Sequence, residues 1–317
     1  MIAASSIKTI GSDLARPECV VTTKSGDIFV SDKRGGISQI SADGTTKLFQ
    51  ARNAPEGFLP NGFALLPDRS FLIANLGPDG GVYHLTQDGT LTKRVREVDG
   101  KQLPPTNWVG IDKQDRMWIS VSTWTIPREK AARQDIANGF VVLVDDKGPR
   151  IVAEGIGYTN ECVVDKTGKW LYVSESIARC TSRFPINEDG SLGPKEVLAS
   201  FGEGTFPDGF ALDIEGGFWV VSVISNRIIH VDSKGNQTIV LEDSDPAVVA
   251  AAEQAFQENR YGRKEMDSGA NRSLRNLSSI AFGGPDLRTG YLGSLFGDKV
   301  FTYPSPVTGE EPVHWNF

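Results

Sequence analysis

One short pattern of polar and apolar positions recurs along the chain: a polar residue, four mostly apolar residues, a tight turn and an aromatic-rich run. The copies begin at Glu18, Asn61, Asn107, Asn160, Asp208 and Leu277. In register they read ECVVTTKSGDIFVSD, NGFALLPDRSFLIAN, NWVGIDKQDRMWISV, NECVVDKTGKWLYVSE, DGFALDIEGGFWVVS and, after Leu277, SSIAFGGPDLRTGYLGS. Each copy predicts a strand, a turn and a second strand. The intervening SG, DR, QD, TG and EG pairs place residues that tolerate positive φ where a hairpin must reverse.

A second hairpin is expected after each first, with turns at Asp43-Gly44, Asp88-Gly89, Lys147-Gly148, Asp189-Gly190, Lys234-Gly235 and Thr308-Gly309. Four-stranded antiparallel units recurring at about 40 to 50 residues describe propeller blades. The fold class read from this pattern is all-β, a six-bladed β-propeller in one domain over residues 1–317. The strand around Ser6 to Ile10 has no blade of its own. Pairing it with the last blade closes the ring and removes an open sheet edge.

Two segments break the spacing. Between blades five and six, at about 242–276, Asp245-Pro246 followed by AVVAAAEQAFQEN reads as an N-cap, a proline in the first turn and a helix. Within blade three, Trp124 to Gly139 links the two hairpins. Both insertions fall at the end where inner strands begin, so they are expected to frame one mouth.

Inner strands surround a propeller's channel and start at the same end, so the first residues of the copies should form a ring: Glu18, Asn61, Asn107, Asn160, Asp208 and Leu277. Two carboxylates about 4 Å apart repel by about 4 kcal/mol at an effective dielectric near 20. A shared proton or a cation removes that cost. Oxygen donors from Glu18, Asn107, Asn160 and Asp208, with Asn61 beside them, suit a hard divalent cation, calcium first, with magnesium, manganese, zinc and iron as alternatives. Cys19 and Cys162, close behind Glu18 and Asn160, are not counted as ligands. Trp108 and Trp124 are candidate apolar walls for a substrate ring.

Composition narrows the partners. Hydrophobic residues make up 39% of the chain and 34 residues are glycine, which fits many short strands and tight turns. A net charge of -7 gives an acidic surface nothing to hold nucleic acid or an anionic membrane. The expected partner is a small molecule, and oligomeric state leaves no readable trace. The opening MIAASSIKTIGSD lacks a basic segment followed by a long apolar stretch, so the expected location is cytoplasmic. Cys19, Cys162 and Cys180 have no metal or redox spacing and are expected to be reduced and buried. His84, His230 and His314 fall outside the ring, which assigns proton transfer to a carboxylate.

The motifs PECVV at Pro17, PNGFAL at Pro60, TNWVGID at Thr106, TNECVVD at Thr159, FPDGFALD at Phe206 and NLSSIAFGGPDLRTGYLGS at Asn276 resemble the senescence marker protein/gluconolactonase family, which includes regucalcin-like lactonases. The resemblance covers nearly the whole chain. It implies a six-bladed propeller with one divalent metal at the channel mouth and Glu18, Asn160 and Asp208 as ligands. It further implies that Asn107 binds the metal or the substrate beside it, that Asp208 is the general base, and that Asn61 lies in the pocket wall. The chain departs from the family pattern where Trp108 follows Asn107 in place of the usual aspartate, and where Cys19 follows Glu18 in place of glycine.

The activity implied is metal-dependent opening of a lactone, a sugar-acid or related cyclic ester. Calcium-dependent phosphotriester hydrolysis of the diisopropylfluorophosphatase kind is the nearest alternative, and a non-catalytic binding propeller with a structural metal is another. A strictosidine-synthase-like condensation fits least, since it wants a lone carboxylate in an apolar pocket.

Overall fold

The computed structural model describes residues 2–317. Six four-stranded antiparallel sheets form the blades of a propeller. Their inner strands are Val20–Thr22, Pro60–Leu65, Trp108–Ile111, Thr159–Val164, Thr205–Leu212 and Leu277–Gly283. The reversals after them occur where the repeat predicts, with positive φ at Gly26, Arg69, Asp115, Gly168 and Gly216, and at Leu287 in blade six.

Burial falls from the axis outward. The second strand of blade one, Ile28–Asp32, is buried throughout, whereas its outermost strand, Thr46–Gln50, is mostly exposed. Inner strands are apolar on both faces because each blade packs against two neighbours. Cys19, Val21, Phe29 and Ile37 of blade one thus meet Phe63, Phe71 and Ile73 of blade two in one cluster. Equivalent clusters lie between the other adjacent blades. An aspartate device fixes two of the inner hairpins: Asp112 and Asp213 accept backbone N–H groups of their own turns and the indole N–H of Trp118 (2.8 Å) and Trp219 (3.2 Å).

Blade six corrects one sequence expectation. Thr308-Gly309 is not a hairpin turn, because the outermost strand of that blade is the N-terminal Lys8–Ile10, paired antiparallel with Val300–Pro304. The ring closes there, and the chain beyond Pro304 is released to cross the end of the channel opposite the mouth. Its backbone bonds the turn regions of several blades: Trp315 O accepts from Lys24 N, Leu212 O accepts from Glu310 N, and Leu287 O accepts from Gly309 N. A small extra hairpin, Glu97–Val98 with Lys101–Gln102, lies between blades two and three.

At the mouth, Asp245 caps a helix over Pro246–Gln257, its carboxylate accepting from Ala247 N at 2.9 Å. The two insertions meet there. Gln134 donates to the Phe256 carbonyl at 3.2 Å and to Asn259 Oδ1 at 3.3 Å, and Ala131, Ala132, Tyr158, Phe206, Phe256 and Tyr261 share one buried cluster. Arg179 clamps the helix to the blades. It bonds both Glu253 oxygens (3.1 and 2.7 Å) and lies 4.4 Å from the Phe206 ring centroid and 3.8 Å from that of Phe256.

Removing one partner of a buried pair leaves the other charge uncompensated. The Arg179–Glu253 pair is part-buried, so Arg179→Ala is expected to destabilise the fold by about 1–3 kcal/mol. Denaturant unfolding reads this as a lower midpoint, with the helix losing amide-exchange protection first. An unchanged midpoint would show that the clamp contributes nothing. No helix among the described residues is long and apolar enough to cross a membrane.

Candidate functional site

The ring residues sit on irregular backbone. Strand pairing slips between Pro60 and Phe63, Thr159 and Cys162, Pro207 and Phe210, and Leu277 and Ser279. At each slip the inner strand carries one residue more than its partner, the signature of a β-bulge, which re-aims side chains that simple alternation would assign to a face. Asn61, Asn160 and Asp208 all lie on these bulges. Glycine follows two of them because space runs out: a Cβ at Gly62 would come within 2.3 Å of Trp108, and one at Gly209 within 2.7 Å of the Ser278 carbonyl oxygen.

Glu18, Asn61, Asn107, Asn160 and Asp208 are all buried, 1 to 7% exposed. Asn61 Nδ2 donates to Glu18 Oε1 at 3.0 Å, to the Asn107 carbonyl at 2.8 Å and to Asn107 Oδ1 at 3.3 Å. Its Oδ1 accepts from Arg16 Nη2 at 2.8 Å. The amide nitrogens of Asn107 and Asn160 are spent on Ser122 Oγ and Ser176 Oγ, each at 3.1 Å. Those serines in turn donate to the Thr159 and Pro207 carbonyls, which ties blade three to four and blade four to five. With the nitrogens committed, the oxygens are left for the ring. Leu277 supplies no donor, while its neighbour Ser278 donates to the Glu18 carbonyl at 2.9 Å.

The charges repel as the sequence anticipates. Burial raises the Glu18 carboxyl above its ordinary range, with Arg16, the Asn61 hydrogen bond and Arg128 partly opposing. Burial and then the Glu18 charge push Asp208 well above its ordinary value, against a smaller opposing effect of Asn160, Arg16 and Arg128. Two buried acceptors, Glu18 Oε2 and Asn160 Oδ1, have no hydrogen-bond partner. An orphaned acceptor and a pair of mutually repelling carboxylates are the conditions a hard cation relieves. The donor set fits one. Among the described residues no group of three or more His, Cys, Asp or Glu side chains is placed to hold a metal, so any cation here relies on the amide oxygens.

Three further groups belong to the site. Arg16, in a left-handed conformation (φ 56°), donates to the Pro60 carbonyl at 3.2 Å as well as to Asn61. Arg128 reaches Ser122 Oγ at 3.0 Å and Tyr158 OH at 3.1 Å from the blade-three insertion. Glu161, not Cys162, directly follows Asn160. It accepts from Phe210 N at 3.3 Å, and burial, then Glu18 and Asp208, raise its pKa well above the usual range. A charge two residues before Glu18 and a carboxylate next to Asn160 were the sequence signals for Arg16 and Glu161. Arg128 was visible only as one of several insertion charges.

Trp108 and Trp124 lie elsewhere. Trp108 lines a cavity of about 180 Å³ within the channel, together with Cys19, Phe63, Glu161 and Phe210, and no ring residue lines that cavity. Trp124 lies flat on Phe140, ring centroids 4.2 Å apart, with Lys101 Nζ 5.7 Å from its ring. The three cysteines are buried and unpaired. His230 stacks on Trp219 and bonds Asp213 at 3.0 Å, His84 meets Ser70 at 2.8 Å, and burial lowers His314 to about 4. None of the histidines belongs to the ring.

The family description SMP-30/Gluconolactonase/LRE-like region matches residues 17–249. A 6-deoxy-6-sulfogluconolactonase of Pseudomonas putida is 26% identical over 237 residues, 73% of this chain and 67% of the relative. Among solved structures, a gluconolactonase from Xanthomonas campestris is 18% identical, covering 95% of this chain and 89% of its own with a TM-score of 0.67. Regucalcin from Agrobacterium tumefaciens, a calcium-binding protein, is 17% identical, covering 97% and 99% with the same TM-score of 0.67.

Proposed function

Because the chain belongs to the SMP-30/gluconolactonase/LRE-like family, we propose that it is a metal-dependent lactonase that opens a sugar-acid or related cyclic ester at the channel mouth. The carrying observation is two buried carboxylates, Glu18 and Asp208, among amides whose nitrogens are already bonded, with Glu18 Oε2 and Asn160 Oδ1 unpartnered. Glu18, Asn107, Asn160 and Asp208 hold one divalent cation, calcium before magnesium, manganese, zinc or iron, because every donor is a hard oxygen. When bound, the cation supplies Lewis-acid polarisation of the lactone carbonyl and charge stabilisation of the oxyanion.

The protein's own groups divide the remaining work. Asp208 takes the proton of the attacking water, the task of a carboxylate base positioned beside the reacting carbonyl. Asn61 fixes the Glu18 carboxylate through Oε1, and the Asn107–Ser122 and Asn160–Ser176 bonds hold the amide orientations. The curated relative's name places a lactone as substrate in the same family and supports the reaction class.

A panel of sugar lactones beside a phosphotriester, read as acid release from protein freed of metal by chelator and then reloaded with each cation, tests this. Lactone opening that vanishes on chelation and returns with calcium is expected. Turnover of the phosphotriester alone would move the reaction class. Hydrolysis of none, with chelation still lowering the unfolding temperature, would make the metal structural.

A further inference from the structure

Two arginines at the mouth lie near Glu18 and Asp208 yet, among the described residues, bond no carboxylate directly. Several other arginines sit directly on carboxylates: Arg34 on Asp32, Arg116 on Asp112 and Arg150 on Asp145, at 2.6 to 2.7 Å. Among the described residues, Arg16 and Arg128 form no such pair, and the acceptors that hold them are neutral: Pro60 O, Asn61 Oδ1, Ser122 Oγ and Tyr158 OH. The same bonds anchor both to the ring, in an unbroken path from Arg16 through Asn61, Asn107 and Ser122 to Arg128. Arg128 is further fixed by its guanidinium lying 5.3 Å from the Tyr158 ring centroid. Among the described residues, the Nε of Arg16 and the Nη1 of Arg128 have no acceptor.

Their neutral holders and unused N–H groups say what these arginines await. Arginine held in a fixed orientation with donors to spare is the usual reader of planar and tetrahedral oxyanions. A neutral sugar lactone leaves these donors without a charged acceptor.

Resting on the lactonase reading, we propose that Arg128 and Arg16 read an anionic oxyacid group on the substrate. The substrate class is then a lactone bearing a second carboxylate, a sulfonate or a phosphate away from the ester. The ring of oxygens selects the ester, and the arginine pair selects the substituent.

The test compares ligands sharing one end and differing at the other: gluconate, glucarate, and gluconate carrying a terminal phosphate or a terminal sulfonate. Binding to the calcium-loaded protein is measured by calorimetry. At least one doubly anionic ligand is expected to bind about tenfold tighter than gluconate or better, as charge-assisted hydrogen bonds provide. That advantage should shrink with added salt, fall several-fold in Arg128→Gln and persist in Arg128→Lys. Equal binding of all four ligands by wild-type protein, which needs no variant to fold, overturns the inference. So does an advantage unchanged in Arg128→Gln of normal melting temperature. Because binding is read without turnover, a protein that prefers anionic ligands yet opens no lactone overturns the reaction class alone. One that opens lactones with no such preference overturns only the substrate class.

Discussion

Replacing Asp208 by Asn is expected to lower kcat on a good lactone by about 10²–10⁴-fold, the usual contribution of a positioned general base. Asparagine keeps an oxygen at the ligand position and removes the basic one, so metal content should fall less than turnover does. The same variant should gain stability once chelated. The Asp208 pKa is raised above its ordinary 3.8 by burial and by Glu18. A group raised in the folded state contributes stability that is fully present below its unfolded value and is lost as pH rises through the folded value. Above the ordinary carboxylate range the metal-free protein therefore bears the cost of this raised pKa, and Asn removes it. Higher melting of the chelated variant with collapsed turnover is the expected pair of results. Full metal occupancy together with full turnover would remove Asp208 from the mechanism.

Calcium added to chelated protein should raise its unfolding temperature. One site occupied at a hundred times its Kd stabilises by about 2.7 kcal/mol. Glu18→Gln should abolish most of that gain, because Glu18 supplies one of two negative charges and the unpartnered Oε2. The gain should also shrink on acidification. The Glu18 and Asp208 pKa values both lie above their ordinary 4.5 and 3.8, so protons compete with the cation for both carboxylates as pH falls. Over the same range the chelated protein becomes relatively more stable, for the linkage reason given above, and the two melting curves converge. Thermal melts with and without calcium at stepped pH read this directly. Parallel curves, or a full calcium effect in Glu18→Gln, would place any metal elsewhere.

Both predictions concern residues separated by almost two hundred positions, and their convergence was legible because the chain repeats. Once six copies of one hairpin signal a closed ring, equivalent positions must occupy equivalent places. Glu18, Asn61, Asn107, Asn160 and Asp208 are therefore neighbours by symmetry, whatever their distance along the chain. The turns were equally legible, since positive φ at Gly26, Gly168 and Gly216 is a local demand that local residue types meet.

Tertiary structure decided what symmetry leaves open. The outermost strand of blade six had two local candidates, and ring closure chose Lys8–Ile10, because only the N-terminus covers the otherwise open edge of Val300–Pro304. The bulges at Asn61, Asn160 and Asp208 break the alternation on which any sequence reading of strand faces rests, so Glu161 could not be placed from its period. Trp108 was turned into the channel by the gap at Gly62, a contact between two blades that neither blade encodes alone. Arg16 and Arg128 gained their roles from what surrounds them. A guanidinium becomes a reader of anions only where packing supplies neutral acceptors and withholds a carboxylate, and such an environment is assembled from four or more distant segments.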